Sequence, residues 1–137
     1  MIAVDTNVLI RFFLDDHKDQ AKKVKHLFET THANNDRIYV STIVLAEATW
    51  VLTNAYRFNR DMLIAWLEDV LNAAFISVEH ENDVETALTS FKAGKGNFSD
   101  YLIAVHAKRH TKGQLYTFDK ACKEPDLFRA PTHPERH

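Results

Sequence analysis

Cysteine, glycine, proline and long apolar runs are all scarce in this 137-residue chain, and each shortage excludes something. One cysteine, Cys122, rules out an internal disulfide framework and fits a reducing compartment. Three glycines and three prolines, two of the prolines in the closing APTHPERH, leave no linker or low-complexity segment to divide the chain. The opening MIAVDTNVLIRFF has no basic stretch ahead of its apolar residues and soon meets Asp5 and Arg11, which argues against a signal peptide. No run is long enough to span a bilayer, so a cytoplasmic protein with no membrane partner is expected. Charge of one sign is lacking too: 17 Lys and Arg face 19 Asp and Glu, a net of -2, which gives no global electrostatic case for nucleic acid. The local cation runs at Lys18, Lys22, Lys23 and Lys25, at Lys92 and Lys95, and at Lys108, Arg109 and Lys112 read as solvated helix faces.

What remains suffices for a core. With 45% hydrophobic and 11% aromatic residues, one compact domain over 1–137 is expected, with an irregular tail at 129–137. IAVD ends a short strand in a carboxylate and runs into the helical TNVLIRFFL. Residues 18–33 step Ala21, Val24, Leu27 and Phe28 along one helical face. RIYVS (37–41), FISV (75–78) and QLYTF (114–118) read as further strands. Helices are expected after Ser41 or Thr42, over Arg60 to Ala73, over Glu81 to Lys92, and from about Asp100 behind an Asn97 or Ser99 cap. Strands alternating with helices define an α/β fold, a central parallel sheet of four to five short strands flanked by helices. In doubly wound sheets of this kind ligands bind outside the carboxyl ends of the strands.

TIVLAEATWVL (42–52) holds one carboxylate, Glu47, with only apolar residues one helical turn away on either side. A carboxylate in such a setting is costly unless something distant compensates it; the alternative is that Glu47 reaches a surface edge. Asp5 and Asp119 each follow a strand, and Asp100 opens a helix. Each has an ordinary reading: helix N-caps for Asp5 and Asp119, a dipole-favoured first-turn acid for Asp100. As a set they suggest converging acids without matched cations, for which a hard divalent cation is the usual remedy. Such an ion with open water positions points to phosphodiester hydrolysis. There is no glycine-rich nucleotide loop, no GxSxG elbow and no histidine beside Cys122. His106 and His110 stand one turn apart but without the glutamate of a zinc hydrolase motif. Two rivals stay open: a non-catalytic Mg²⁺-binding interaction module, and a phosphatase using Asp5 as nucleophile. The latter needs a second acid two residues on, where Asn7 stands.

DTNVLIRFFL (5–14), the VSTIVLAEATWVL helix, GNFSDYLIAVHA (96–107) and LYTFD (115–119) resemble the four acidic motifs of PIN-domain ribonucleases, most closely the VapC-like toxins of toxin–antitoxin pairs. The resemblance runs from Asp5 to about Leu127. It implies a PIN-like fold and metal-dependent endonucleolytic cleavage of RNA, with Mg²⁺ or Mn²⁺ as cofactor. It places the acids on Asp5, Glu47, Asp100 and Asp119, with Asp5 and Asp100 as principal metal ligands and the other two acting directly or through water. Thr6, Asn7 and Thr117 would orient the carboxylates, and Arg11 would contact RNA phosphate. It further implies a small antitoxin lying across the active-site groove and a homodimer. Trp50, Trp66, Phe12 and Phe13 read either as core or as lining for such a groove or dimer face.

Overall fold

The computed structural model describes residues 1–14 and 17–134. Two compact units make up the chain, Met1–Glu81 and Asn82–His137. In the first, strands β1 (Ile2–Ala3), β2 (Ile38–Val40) and β3 (Ile76–Val78) form a parallel sheet in the order β1-β2-β3. The register sets Ile2 beside Ile38 and Val40 beside Val78. Because the order is sequential, no reversal of strand order falls within this sheet. The intervening segments are helices: α1 (Thr6–Phe13) and α2 (Lys18–Ala33) before β2, α3 (Thr42–Asn54) and α4 (Arg60–Asn72) after it. Leu9, Ile10, Phe28, Ile38, Val40 and Leu67 are almost completely buried around the sheet. The ring of Phe12 stacks on Phe28 at 4.1 Å and meets Phe75 edge-on, fastening α1 to α2 and to the approach of β3.

Local chemistry accounts for the helix starts. Ser41 Oγ accepts from the Val44 N–H at 3.1 Å at the head of α3, and Asn59 Oδ1 accepts from the Met62 N–H at 2.9 Å at the head of α4. Each such cap is worth about 1 kcal/mol. Helix α3 buries Leu45, Ala48, Thr49 and Leu52, so residues half a turn away look outward. Ile43 is 80% exposed and Trp50 66% exposed, and Glu47 lies on that same open face.

The second unit contains α5 (Glu81–Ala93), which begins at the boundary, α6 (Phe98–Thr111), and the parallel pair β4 (Leu115–Tyr116) and β5 (Phe128–Arg129). Phe91, Phe98, Tyr101 and Phe128 pack edge to face as its aromatic centre. Five short strands are thus present among the described residues, three hydrogen-bonded in one unit and two in the other, and every pairing is parallel. β5 is the strand that the sequence pattern did not mark. Arg129 of the tail belongs to β5, residues 130–134 have no regular structure, and 135–137 lie outside the described residues. Among the described residues no helix is long and apolar enough to cross a membrane.

Candidate metal centre

The carboxyl edge of the three-stranded sheet carries Asp5 after β1, Ser41 after β2 and Glu79 after β3. Asp5 is exposed and caps α1, its Oδ1 accepting from the Val8 N–H at 3.0 Å. The cap reading of Asp5 therefore holds, and the other oxygen of the same carboxylate leaves room for a second role. Thr6 is 5% exposed, and its hydroxyl donates a hydrogen bond to Glu47 Oε1. Glu47 is therefore not a charge sunk among apolar side chains. Ile43 and Trp50, one turn away on either side, share its solvent-exposed face, and its partner is a hydroxyl 41 positions earlier.

Asn7 is exposed, and its carbonyl accepts from Arg11 Nη1 at 3.4 Å. Arg11 is half-buried, and its Nε has no hydrogen-bond partner among the described residues. It lines a depression of about 430 Å³ between α1 and α2 with Phe12, Phe13, Lys18, Lys22 and Lys25. The lysines recur three and four positions apart, which brings them to one face of α2. Trp66 is core at 4% exposure, Phe12 and Phe13 are half-buried, and Trp50 is open to solvent.

In the second unit Asp100, Asp119 and Cys122 offer ligand atoms that all lie within 4.8 Å of one another. Asp100 stands in the first turn of α6, and its Oδ2 accepts from the Asn97 N–H at 3.0 Å. Asp119 does not cap a helix. It opens a turn in which its N–H donates to Thr117 Oγ1 at 3.0 Å and its Oδ1 accepts from the Ala121 N–H at 2.9 Å. Thr117 thus orients the backbone of Asp119 rather than its carboxylate. The Cys122 thiol is pushed up to about 12, by burial first and then by the negative charges of Asp100 and Asp119, and it donates to Asp100. Without an ion a thiol at that value is protonated at neutral pH, and the two carboxylates are the hard oxygen donors of the group. That donor set fits a hard divalent cation bound directly or through its water.

Residues 2–126 match the PIN domain family. The chain belongs to that family. It is also similar to a VapC ribonuclease of Aquifex aeolicus (strain VF5), 24% identical over 124 residues that cover 90% of this chain and 91% of the relative. The PIN match spans all four acids singled out above, from Asp5 to Asp119.

Three acids of this PIN chain were not singled out from sequence. Glu79 accepts from both the N–H and the hydroxyl of Thr42 at 2.9 Å, and Tyr39 bonds to it as well. These bonds, led by the Thr42 N–H, lower its carboxyl to about 2. Its signal was present, since FISVE ends a strand in an acid just as IAVD and LYTFD do. Asp83, 5% exposed, bonds to Arg109 and sits 3.3 Å from His106 Nδ1, which gives this histidine a structural partner. Glu124 accepts from the Tyr101 hydroxyl at 2.7 Å, and nothing in the sequence marks it.

Proposed function

We propose that this PIN-domain protein is a metal-dependent endoribonuclease, the toxin of a toxin–antitoxin pair. The observation that carries this reading is the Asp100, Asp119 and Cys122 cluster, two carboxylates and a thiol within reach of one ion in a PIN-family chain. The similarity to a VapC ribonuclease supports RNA as the substrate and an antitoxin as the partner. Asp5, Glu47, Asp100 and Asp119 are the catalytic acids, Asp5 and Asp100 being the principal ligands of Mg²⁺ or Mn²⁺, with Glu47 and Asp119 serving directly or through water. When bound, the ion lowers the pKa of its water and neutralises phosphate oxygens.

The chain's own contribution is orientation. In each of the four acids one oxygen accepts a local hydrogen bond: from the Val8 N–H for Asp5, the Thr6 hydroxyl for Glu47, the Asn97 N–H for Asp100 and the Ala121 N–H for Asp119. Such bonds hold a carboxylate in one rotamer, so little ordering remains when a ligand arrives. Thr6 supports Glu47 directly, Thr117 supports Asp119 through its backbone, and Asn7 supplies the carbonyl that steadies Arg11. Arg11 with Lys18, Lys22 and Lys25 supplies cations for the phosphate backbone. The protein acts in the cytoplasm as a homodimer, with an antitoxin covering its active-site groove.

The decisive experiment is cleavage of total RNA by purified protein with added Mg²⁺ or Mn²⁺, followed by mapping of the ends. Asp5→Asn and Asp100→Asn should each lower the rate by more than about 100-fold while circular dichroism is unchanged. Either variant cutting at the wild-type rate, with contaminating nuclease excluded, would overturn the assignment. Growth arrest on expression, relieved by the neighbouring upstream reading frame, tests the toxin role separately.

A further inference from the structure

Tyr101 is completely buried, yet its hydroxyl is doubly engaged. It accepts from the Gly96 N–H at 3.0 Å and donates to Glu124 Oε2 at 2.7 Å. Glu124 in turn holds its own segment: Oε1 accepts from the Lys123 N–H at 3.2 Å, and its carbonyl accepts from the Leu127 and Phe128 N–H groups at 3.0 and 2.9 Å. The glycines before α6 lie directly on this connection. A Cβ at Gly94 would run into the Tyr101 hydroxyl and the Glu124 carboxylate, and one at Gly96 would press on Cys122 Sγ at 3.1 Å and on the Tyr101 ring.

These bonds join two short pieces of chain. One leads through Gly96 and Asn97 into Asp100, and the other runs from Asp119 through Cys122 to Glu124. Tyr101 follows Asp100 in α6, so its bond to Glu124 ties the segment that holds Asp119 to the helix that holds Asp100. We propose that Tyr101 and Glu124, with Gly94 closing over them, are positioning residues that set the separation of the Asp100 and Asp119 carboxylates and thereby the affinity of the metal centre. The inference rests on the reading that these two acids hold a divalent cation. The physical requirement is general: ligands must be held to within about 0.5 Å, and a bond that orients them from behind changes metal affinity by roughly 10- to 100-fold.

The test is direct Mn²⁺ binding to RNA-free protein, by calorimetry and by loss of the free-ion electron paramagnetic resonance signal. Wild type is compared with Tyr101→Phe, Glu124→Ala, Glu124→Gln and Asp100→Asn, each shown to be folded by near-ultraviolet circular dichroism. Tyr101→Phe and Glu124→Ala should weaken Mn²⁺ binding about 10-fold. Glu124→Gln keeps an acceptor for the phenol and should restore most of that loss, which a requirement for the Glu124 charge would not allow. Asp100→Asn should remove binding. Wild-type affinity in both Tyr101→Phe and Glu124→Ala, with no binding in Asp100→Asn, would overturn the positioning role and leave the metal reading standing. Wild-type affinity in Asp100→Asn would overturn the metal reading itself.

Discussion

Thr6 is buried while Glu47, which accepts its hydrogen bond, faces solvent, so the pair carries orientation from the packed interior to an open carboxylate. Thr6→Val keeps the shape and deletes the donor. It should lower RNA cleavage about 10-fold while costing about 1 kcal/mol in urea unfolding, because Glu47 can rehydrate. A larger loss of stability with unchanged cleavage would make Thr6 a core residue only. Glu79 supports a different expectation. Its folded value of about 2 lies below the ordinary glutamate value of 4.5, so its carboxylate stabilises the fold above about pH 4.5 and loses that effect as pH falls toward 2. Glu79→Gln should therefore flatten the acid limb of stability between those two pH values, as followed by thermal melts. An unchanged acid limb would mean that Glu79 takes up its proton at the same pH folded and unfolded, so that its bonds to Thr42 and Tyr39 add no charge-dependent stability.

Between elements, the α5 to α6 connection runs through Asp83, whose side chain is 7% exposed, and Arg109, which is 47% exposed. Removing Arg109 leaves one oxygen of the buried Asp83 carboxylate without its cation and only His106 beside the other, whereas Asp83→Asn removes the charge and keeps the shape. Arg109→Ala should thus destabilise by about 1 to 3 kcal/mol, more than Asp83→Asn, in chemical denaturation. The helices were legible by period, and the starts of α3 and α6 also by the caps Ser41 and Asn97; Asn59 heads α4 in the same way although the sequence reading did not mark it. Helix α6 starts at Phe98 rather than Asp100 because the Asn97 cap draws the first turn back and leaves Asp100 in it. β5 was illegible because two residues between Pro125 and Pro131 carry no period, and pairing with β4 alone defines them. The strand-terminal acids were legible from position, but the Thr6 to Glu47 and Tyr101 to Glu124 bonds were not. Their partners are 41 and 23 residues apart, and no local pattern records such a distance.

Taken as a whole molecule, a chain of net charge -2 has no global field to attract RNA, so the proposed activity requires a local basic feature. In the first unit the Lys18, Lys22 and Lys25 face beside Arg11 is the surface that the proposed function assigns to RNA phosphate. Lys22→Glu with Lys25→Glu should weaken RNA binding and make the slope of log K against log salt shallower by about 0.7 for each phosphate no longer neutralised, while Mn²⁺ affinity stays unchanged. An identical slope in the double variant would remove this face from RNA recognition. The scarcity of glycine has its own consequence at this scale. None of the three has positive φ, whereas Asn35, Arg57, His80 and Lys112 do, at 50 to 60°. Two of these left-handed positions, Arg57 and Lys112, carry residues that tolerate that region poorly, while a Cβ would collide with its neighbours at Gly94 and be tightly pressed at Gly96. In a deep mutational survey Gly94 should therefore reject even alanine, while Arg57 and Lys112 accept glycine, so the chain's evolutionary freedom is inverted relative to ordinary turns. Its glycines are spacers, and its hinges of permissible change lie at charged residues.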